Sequence, residues 1–316
     1  MASPTSHPIG QGHAPEAFRS LVDARDLAAV LPDLLVEASR VAATVASGWH
    51  GRRRAGSGQG FWQFRPLGSG ESAAAVDWRR SARDDVLHVR EREWEAAHTV
   101  WLAPDLTPSM AYRSHLAAVS KRDRAVVLAL ALADLLGRAG ERIGVPGRLA
   151  PRPDRHAAER LAVALVRSGP ADAVPDPGPI APLAEVVVIG DFLEPPERLE
   201  TRLAALAATG ARLHLVRIVD PAEALLPFAG EVEFEDPESG DRLRLPRVED
   251  LAGAWEARWR RHGAALADLA RGGRRTLVTH RTDRSAAEAL LAVHAALGGA
   301  RHGVAPPRAG DREGEP

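Results

Sequence analysis

The protein of 316 residues contains no cysteine, which excludes disulfide bonds, thiolate metal ligands and cysteine nucleophiles. It contains a single lysine, Lys121, among 41 cationic residues. Because Lys121 does not stand in a Gly-x-x-x-x-Gly-Lys-Ser/Thr sequence, nucleotide hydrolysis through such a phosphate-binding loop is excluded as well. The formal net charge is -1, so the sequence indicates no general attraction to nucleic acid or to acidic membrane surfaces.

No long apolar run without charges is present either. The most apolar stretch, residues 27–46, contains Asp33, Glu37 and Arg40, whereas a membrane-spanning helix needs about 20 mostly apolar residues. The first thirty residues lack the order of basic, apolar and small residues that marks a signal peptide. We therefore expect no membrane span and a soluble, cytoplasmic protein.

The pattern of residues along the chain indicates folded regions between two tails. Residues 1–14 and 299–316 are rich in proline, glycine and polar residues, which is typical of disordered tails. Residues 15–97 combine helical and strand patterns and predict an N-terminal α+β region. Within it, residues 23–47 predict one amphipathic helix, or two helices that are broken near Pro32.

From residue 98 to residue 298, strand-like and helix-like segments alternate. Such alternation predicts an α/β fold in which helices flank a mostly parallel sheet. We expect strands at residues 99–104, 142–146, 185–190, 211–218 and 274–280. We expect helices at residues 121–138, 155–167, 196–208, 251–271 and 284–297. Residues 220–250 interrupt the alternation and predict a β-hairpin insertion.

Polar side chains follow two of these predicted strands. Asp105, Thr107 and Ser109 lie in the loop after the first strand, and Asp191 follows the third. Because the carboxyl ends of parallel strands open on one edge, where α/β sheets bind ligands, we expect the two loops to meet there. Carboxylate and hydroxyl oxygens suit Mg²⁺, which would keep open positions for a carboxylate from a partner. Alternatively, Asp105 caps the loop and the hydroxyls bond to local backbone amides.

A second group of residues lies in the N-terminal region. Trp78, Arg80 and Arg83 stand between two predicted strands. Because tryptophan and arginine are frequent anchors of protein interfaces, these residues are candidates for partner binding. Alternatively, Trp78 fills the core and Asp77 pairs with Arg80 or Arg83.

Both groups of residues resemble known families. The loop from Asp105 to Ser109 is similar to the metal-ion-dependent adhesion motif Asp-x-Ser-x-Ser of von Willebrand factor A-type domains. The chain as a whole resembles a bacterial family of unknown function whose members are often associated with MoxR-type AAA+ ATPases. This second resemblance covers about residues 20–300 and is carried by that loop and by residues 56–61, 77–83 and 188–192.

The resemblance implies a von Willebrand A-like α/β domain that is preceded by a family-specific region. It also implies a binding or adaptor protein that works with a MoxR-type AAA+ ATPase in maturing or assembling other proteins. Two departures from the adhesion motif concern the metal. Thr107 replaces the first serine and keeps its hydroxyl, but no threonine occurs between Thr107 and Thr201 to serve as the usual ligand from a middle loop. The second departure implies that metal binding is weak or lost.

Three functions are consistent with these residues. We favour non-enzymatic protein binding through the loops that carry Asp105, Thr107, Ser109 and Asp191, with Mg²⁺ as a bridging ion. A metal-dependent hydrolase or phosphoryl-transfer enzyme would use Asp105 and Asp191 to hold Mg²⁺ against a phosphoryl group, although no second carboxylate lies two residues after Asp105. The third function is that of a metal-free interaction module.

Overall fold

The structure, a computed structural model, describes residues 16–50, 61–68, 72–83, 86–92, 97–168 and 174–301. Two units can be distinguished. One contains residues 46–97, and the other contains the N-terminal helix up to residue 45 together with the chain from residue 98 onward. The predicted tail of residues 1–14, the glycine-rich residues 51–60 and most of the predicted tail of residues 299–316 lie outside the described residues.

One long helix, α1 (Glu16–His50), opens the described part of the chain. It is continuous through Pro32, although an internal proline removes a backbone hydrogen bond and costs about 3 kcal/mol. Pro32 is exposed, whereas Leu34, Ala38 and Val41 are buried in the core of the larger unit. We expected this helix in the N-terminal region, but its apolar face packs in the larger unit, and that burial offsets the cost of the proline.

The smaller unit contains an antiparallel pair of strands, β1 (Phe61–Pro66) and β2 (His88–Arg92). A short helix, α2 (Trp78–Ser81), lies between them in the sequence. The side chain of Asp77 caps this helix by accepting a hydrogen bond from the Arg80 backbone N–H at 3.0 Å.

The larger unit contains a six-stranded sheet. Its strands are β3 (Thr99–Pro104), β4 (Arg142–Val145), β5 (Leu149–Pro153), β6 (Glu185–Gly190), β7 (Arg212–Val219) and β10 (Arg275–Arg281), while β8 (Val232–Glu235) and β9 (Arg242–Leu245) form a separate hairpin. The order across the sheet is β10-β7-β6-β3-β4-β5, and all neighbouring pairs are parallel except β4 with β5. The prediction of an α/β fold with a mostly parallel sheet is confirmed.

Helices cover both faces of this sheet. They are α3 (Lys121–Arg138), α4 (Ala157–Ser168), α5 (Pro196–Ala207), α6 (Pro221–Leu225), α7 (Ala252–Arg271) and α8 (Ala286–Arg301). The apolar residues of α1, α3, α4 and α8 form one core with one face of the sheet, and those of α5 and α7 form a second core with the other face. None of the helices in the described ranges is both long enough and apolar enough to span a membrane.

The placement of α3 decides what reaches the carboxyl edge of the sheet. Nearly every residue from Ala125 to Leu136 is apolar and buried, which is expected for a helix covered on all sides. The helix begins at this edge, where the side chain of Ser120 accepts a hydrogen bond from the Asp123 backbone N–H at 3.0 Å. Lys121 is therefore the first helical residue and lies at the carboxyl ends of the strands.

The strand order reverses between β3 and β6. From β3 the chain moves to β4 and β5 on one side, and it then returns to β6 on the other side and continues to β7 and β10. Ligands of α/β sheets bind in the crevice at such a switch point. Because Pro104 lies opposite Ile189 in the parallel pairing, the loops that carry Asp105 and Asp191 leave the sheet side by side.

The hairpin of β8 and β9 lies within the insertion predicted for residues 220–250. Its exposed strands are joined by cross-strand ion pairs, such as the one between Arg242 and Glu235 at 2.9 Å. At its base, the Val248 backbone N–H donates to the carbonyl of Gly230 at 3.0 Å. The turn of the hairpin, residues 236–241, is thereby held at the end of a closed ribbon.

Candidate functional site

The loop after β3 brings three oxygen atoms together. The Oδ1 of Asp105 accepts hydrogen bonds from the Thr107 backbone N–H at 2.8 Å and from the Thr107 hydroxyl at 2.6 Å. The hydroxyl oxygens of Thr107 and Ser109 are 3.2 Å apart. Local bonds of this kind agree with the alternative prediction that Asp105 caps the loop. They hold the loop in one conformation. The buried Asp105 also donates its backbone N–H to the carbonyl of Ile189 on β6 at 2.8 Å.

The loop after β6 carries Asp191, which is also buried. The next residue, Phe192, has a φ of 51°, in the left-handed region. Residues other than glycine adopt this conformation at a cost of roughly 1–2 kcal/mol. Phe192 is held there by the burial of its ring and by His262, whose Nε2–H donates to the Phe192 carbonyl at 2.7 Å. Backbone strain of this kind is frequent at functional sites.

Asp191 is paired with the only lysine of the chain. The ammonium of Lys121 donates to Oδ2 of Asp191 at 2.8 Å and to Oε1 of Glu223 at 2.5 Å. Only 1% of Lys121 is exposed. Lysine is almost never buried to this degree unless it is paired, so the two carboxylates account for its position.

The charges of this group are coupled. Burial acts to lower the pKa of Lys121, but the charges of Asp191 and Glu223 and their hydrogen bonds outweigh it and raise that pKa above its usual value. Burial also raises the pKa of Glu223, against the opposing charge of Lys121. The contacts of the Lys121 ammonium with Asp191 at 2.8 Å and with Glu223 at 2.5 Å favour its charged form, so Lys121 is a cation at neutral pH.

Glu223 is fixed by the start of α6. It forms a capping box with Asp220, in which Oε2 of Glu223 accepts a hydrogen bond from the Asp220 backbone N–H at 2.8 Å. The side chain of Asp220 accepts hydrogen bonds from Ala222 within the helix and from Ser114 in the loop after β3, both at 2.9 Å. The buried carboxylate of Asp220 and the partly buried carboxylate of Glu223 therefore join the loops after β3 and β7 and the start of α3.

A second buried cation, Arg217, lies near the end of β7. Its guanidinium lies over the ring of Trp259 on α7, 4.4 Å from the ring centroid. Trp259 stacks on Trp255, whose indole N–H donates to the Glu223 carbonyl at 2.7 Å. The two tryptophans of α7 thus contact Arg217 and Glu223.

The hairpin turn reaches the adhesion-like loop. Oε1 of Glu238 accepts a hydrogen bond from the Ser109 backbone N–H at 3.0 Å, and both residues are accessible to solvent. Glu238 is held in the turn by its own backbone N–H, which donates to Asp236 at 2.8 Å. A carboxylate from a distant segment therefore lies at the loop in which the sequence predicts a Mg²⁺ site open to a carboxylate from a partner.

The residues singled out in the smaller unit have different surroundings. Trp78 is 62% exposed, so the interpretation that it fills a core is wrong. Asp77 caps α2 through the Arg80 backbone, while Arg80 is half-buried and Arg83 is exposed. Partner binding by Trp78, Arg80 and Arg83 stays a prediction.

The oxygen atoms of the first loop suit a small divalent cation, and a metal site formed by all four predicted residues stays a prediction. Ligands next to each other around octahedral Mg²⁺ lie roughly 3 Å apart, which the separations of 2.6 and 3.2 Å in the loop match. Of the two carboxylate oxygens of Asp191, Oδ2 accepts a hydrogen bond from the ammonium of Lys121 at 2.8 Å and Oδ1 accepts one from the Leu193 backbone N–H at 3.3 Å. Among the residues that the structure describes, no three His, Asp or Glu side chains are grouped to hold a metal.

Three residues of this edge are not among those that the sequence patterns single out. Lys121 has one signal, since it is the only lysine among 41 cationic residues. Glu223 has another, because Asp220 and Glu223 have the spacing of a capping box directly after a strand. Glu238 has none, since it lies 129 residues from Ser109 and no local pattern predicts their contact.

The chain is similar to two solved structures, but only weakly. An aerotolerance-related membrane protein of Bacteroides fragilis is 16% identical with a TM-score of 0.40, over 64% of this chain and 99% of that one. The conserved hypothetical protein BatB of Bacteroides thetaiotaomicron is 17% identical with a TM-score of 0.40, over 65% of this chain and 99% of that one. These TM-scores are too low to establish a shared fold.

The similarity in sequence is stronger. The uncharacterized proteins Rv1480 of Mycobacterium tuberculosis and Mb1516 of Mycobacterium bovis are each 30% identical over 297 residues, which cover 86% of this chain and 90% of theirs. Residues 63–265 match a family described as protein of unknown function DUF58. The chain therefore belongs to the DUF58 family.

Proposed function

We propose that the protein binds another protein through its carboxyl-edge face, which consists of the loops after β3, β6 and β7 with Asp105, Thr107, Ser109 and Asp191. The observation that carries this proposal is the position of the first two loops. They flank the point between β3 and β6 at which the strand order reverses, and α/β sheets use this crevice for binding.

Exposed apolar residues that follow the same three strands support a protein as the partner. Tyr112 and Leu116 follow β3, Leu193 follows β6 and Leu225 follows β7, with exposed fractions of 37%, 38%, 45% and 60%. Large apolar side chains that are exposed beside fixed polar groups are typical of protein interfaces. A small-molecule site would instead enclose such residues in a cleft.

The contact between Ser109 and Glu238 supports an acidic group on the partner. The Ser109 backbone N–H already binds a carboxylate, at 3.0 Å, so its direction suits an acidic side chain that approaches from solvent. An acidic residue of the partner would displace Glu238 and take over this hydrogen bond. Mg²⁺ is not required for this step.

The resemblance stated above supports a particular partner, a MoxR-type AAA+ ATPase. We propose that the protein is a non-enzymatic adaptor for such an ATPase in the maturation or assembly of other proteins. Membership of the DUF58 family agrees with this role without specifying it, because the family is itself of unknown function.

The test uses the purified MoxR-type ATPase of the same organism, immobilised and titrated with the full chain. We expect Asp105→Ala to weaken binding at least tenfold, because the change removes the carboxylate that fixes Thr107 and the conformation of the loop. Ser109→Ala is a milder second variant. Glu159→Ala, which removes an exposed carboxylate on α4, is the matched control and should bind like the wild type.

Other outcomes would change the proposal in defined ways. Binding that is unaffected by Asp105→Ala would mean that the partner does not bind through the carboxyl-edge face. Absence of any binding by the wild-type protein would remove the ATPase as the partner. Turnover of a generic phosphatase substrate that depends on both Asp105 and Mg²⁺ would favour the metal-dependent hydrolase instead.

A further inference from the structure

Lys121 differs from every other cationic residue of the protein. It is the only lysine among 41 cationic residues, so arginine is used at all other such positions. It is also one of the largest fully buried side chains of the described residues. An ammonium is a compact charge, whereas a guanidinium is a wide planar fork, so the exception indicates that this position requires the smaller cation.

The position of Lys121 is unfavourable for a cation by itself. The residue begins α3, where the helix dipole places partial positive charge. Burial adds the cost of removing the ammonium from water. The carboxylates of Asp191 and Glu223, at 2.8 and 2.5 Å from the ammonium, offset both costs.

Those carboxylates lie where a bound cation would be expected. Asp191 is the residue that the sequence predicts as a metal ligand from the second loop. The ammonium of Lys121 already neutralises it, and a divalent ion on the same carboxylate would be repelled by a fixed charge a few ångströms away. The capping box holds Glu223 in place on the other side of the ammonium.

We propose that Lys121 is a built-in cation. Its ammonium supplies to Asp191 and Glu223 the positive charge that an adhesion-type site takes from a metal ion, so the carboxyl-edge face keeps its geometry without metal. This inference concerns the same face as the proposed function, but its test involves no partner. Either one can therefore fail while the other holds.

The test measures metal binding and thermal unfolding of the full chain. We expect the wild type to show no saturable binding of Mg²⁺ or Mn²⁺ in calorimetry that depends on Asp191, and the same melting temperature in chelator and in millimolar Mn²⁺. Lys121→Met keeps most of the length of the side chain but leaves the buried carboxylate of Asp191 and the partly buried one of Glu223 without a cation. It should lower the melting temperature by on the order of 10 °C in chelator, and Mn²⁺ should restore part of that loss.

A double variant tests whether Asp191 is the group that needs the cation. Lys121→Met combined with Asp191→Asn removes one unpaired charge, so this protein should be more stable in chelator than Lys121→Met alone and should respond less to Mn²⁺. Arg260→Met, which removes an exposed arginine on α7 whose ion-pair partner Glu256 is also exposed, is the matched control and should change neither quantity.

Two results would overturn the inference. The first is saturable Mn²⁺ binding by the wild type that Asp191→Asn abolishes, which would show that a metal and Lys121 share this carboxylate. The second is a Lys121→Met protein that is as stable as the wild type in chelator. If Lys121→Met does not fold, the calorimetry of the wild type and Asp191→Asn still decides the question.

Discussion

At the scale of single residues, pairing determines which buried groups are charged. Lys121 remains a cation because two carboxylates surround its ammonium. His280 on β10 is 4% exposed, and its Nε2 has no hydrogen-bond partner in the described part of the chain. Burial, helped by the charge of Arg124 and opposed by Asp283, lowers the pKa of His280 to about 4.

The low pKa of His280 in the folded protein predicts a loss of stability in acid. In the unfolded chain His280 takes up a proton below pH 6.5, but in the folded protein it does so only near pH 4. The free energy of unfolding should therefore fall as the pH drops from 6.5 to 4, by up to about 3 kcal/mol. Urea unfolding of the wild type and His280→Leu at pH 7 and pH 5 measures the effect. Equal losses in both proteins would show that other groups cause it.

At the scale of elements, regular hydrophobic patterns made the chain after residue 98 predictable. The predicted strand at residues 99–104 and helix at residues 121–138 coincide with β3 and α3, because buried apolar runs are bounded there by polar residues. The antiparallel strand β5 was not predicted, since its sequence Leu-Ala-Pro-Arg-Pro contains two prolines and little apolar character. Prolines are tolerated there because β5 lies at the edge of the sheet.

The contact between α3 and the start of α4 depends on Gly137. A Cβ atom at this position would lie 2.6 Å from the carbonyl oxygen of Asp154 and 3.0 Å from the Cβ of Ala157. Gly137→Ala should therefore lower the free energy of unfolding by about 1–3 kcal/mol, although alanine is the better helix former. Gly253→Ala on α7, where a Cβ meets no atom within 4 Å, should leave stability unchanged or raise it slightly. Denaturant unfolding of the two variants in parallel gives the comparison.

The hairpin turn should shield the Ser109 amide. In Glu238→Ala the acceptor is lost, and the hydrogen exchange of the Ser109 N–H, followed by NMR, should become roughly fivefold faster, as expected for the loss of a bond worth about 1 kcal/mol. Asp241→Ala removes a carboxylate from the same turn and should leave this rate unchanged. An unaltered rate in Glu238→Ala would mean that the turn does not cover the loop in solution. A faster rate would also predict tighter partner binding, because the internal competitor is gone.

At the scale of the whole molecule, the sequence predicts which loops lie together but not which of their charged side chains form ion pairs. The meeting of Asp105 and Asp191 at one edge follows from the parallel sheet alone. The partners of Lys121 lie 70 and 102 residues away, and such pairs follow only from the packed fold. For the same reason the order of the strands, and with it the switch point, was not predictable from local patterns.

The two units allow a test of whether binding uses one surface or two. Trp78 in the smaller unit is 62% exposed, so Trp78→Ala should leave the melting temperature within about 1 °C of the wild type. If Trp78 contacts the partner, as predicted from its residue type, the same change should weaken binding to the ATPase by about tenfold. Trp78→Ala combined with Asp105→Ala would then show additive losses for separate contacts. Wild-type affinity in Trp78→Ala would leave the smaller unit without a role in binding.

The burial of Lys121 also gives the protein an internal chemical reporter. The folded chain exposes no lysine ε-amine, because its only lysine is buried and the ammonium is paired with the carboxylates of Asp191 and Glu223. Acylating reagents that react with ε-amines can reach this residue only in molecules whose carboxyl edge has opened. The acylation rate of Lys121, read by mass spectrometry, therefore gives the free energy of opening at this one position, with no engineered label and no competing lysine signal.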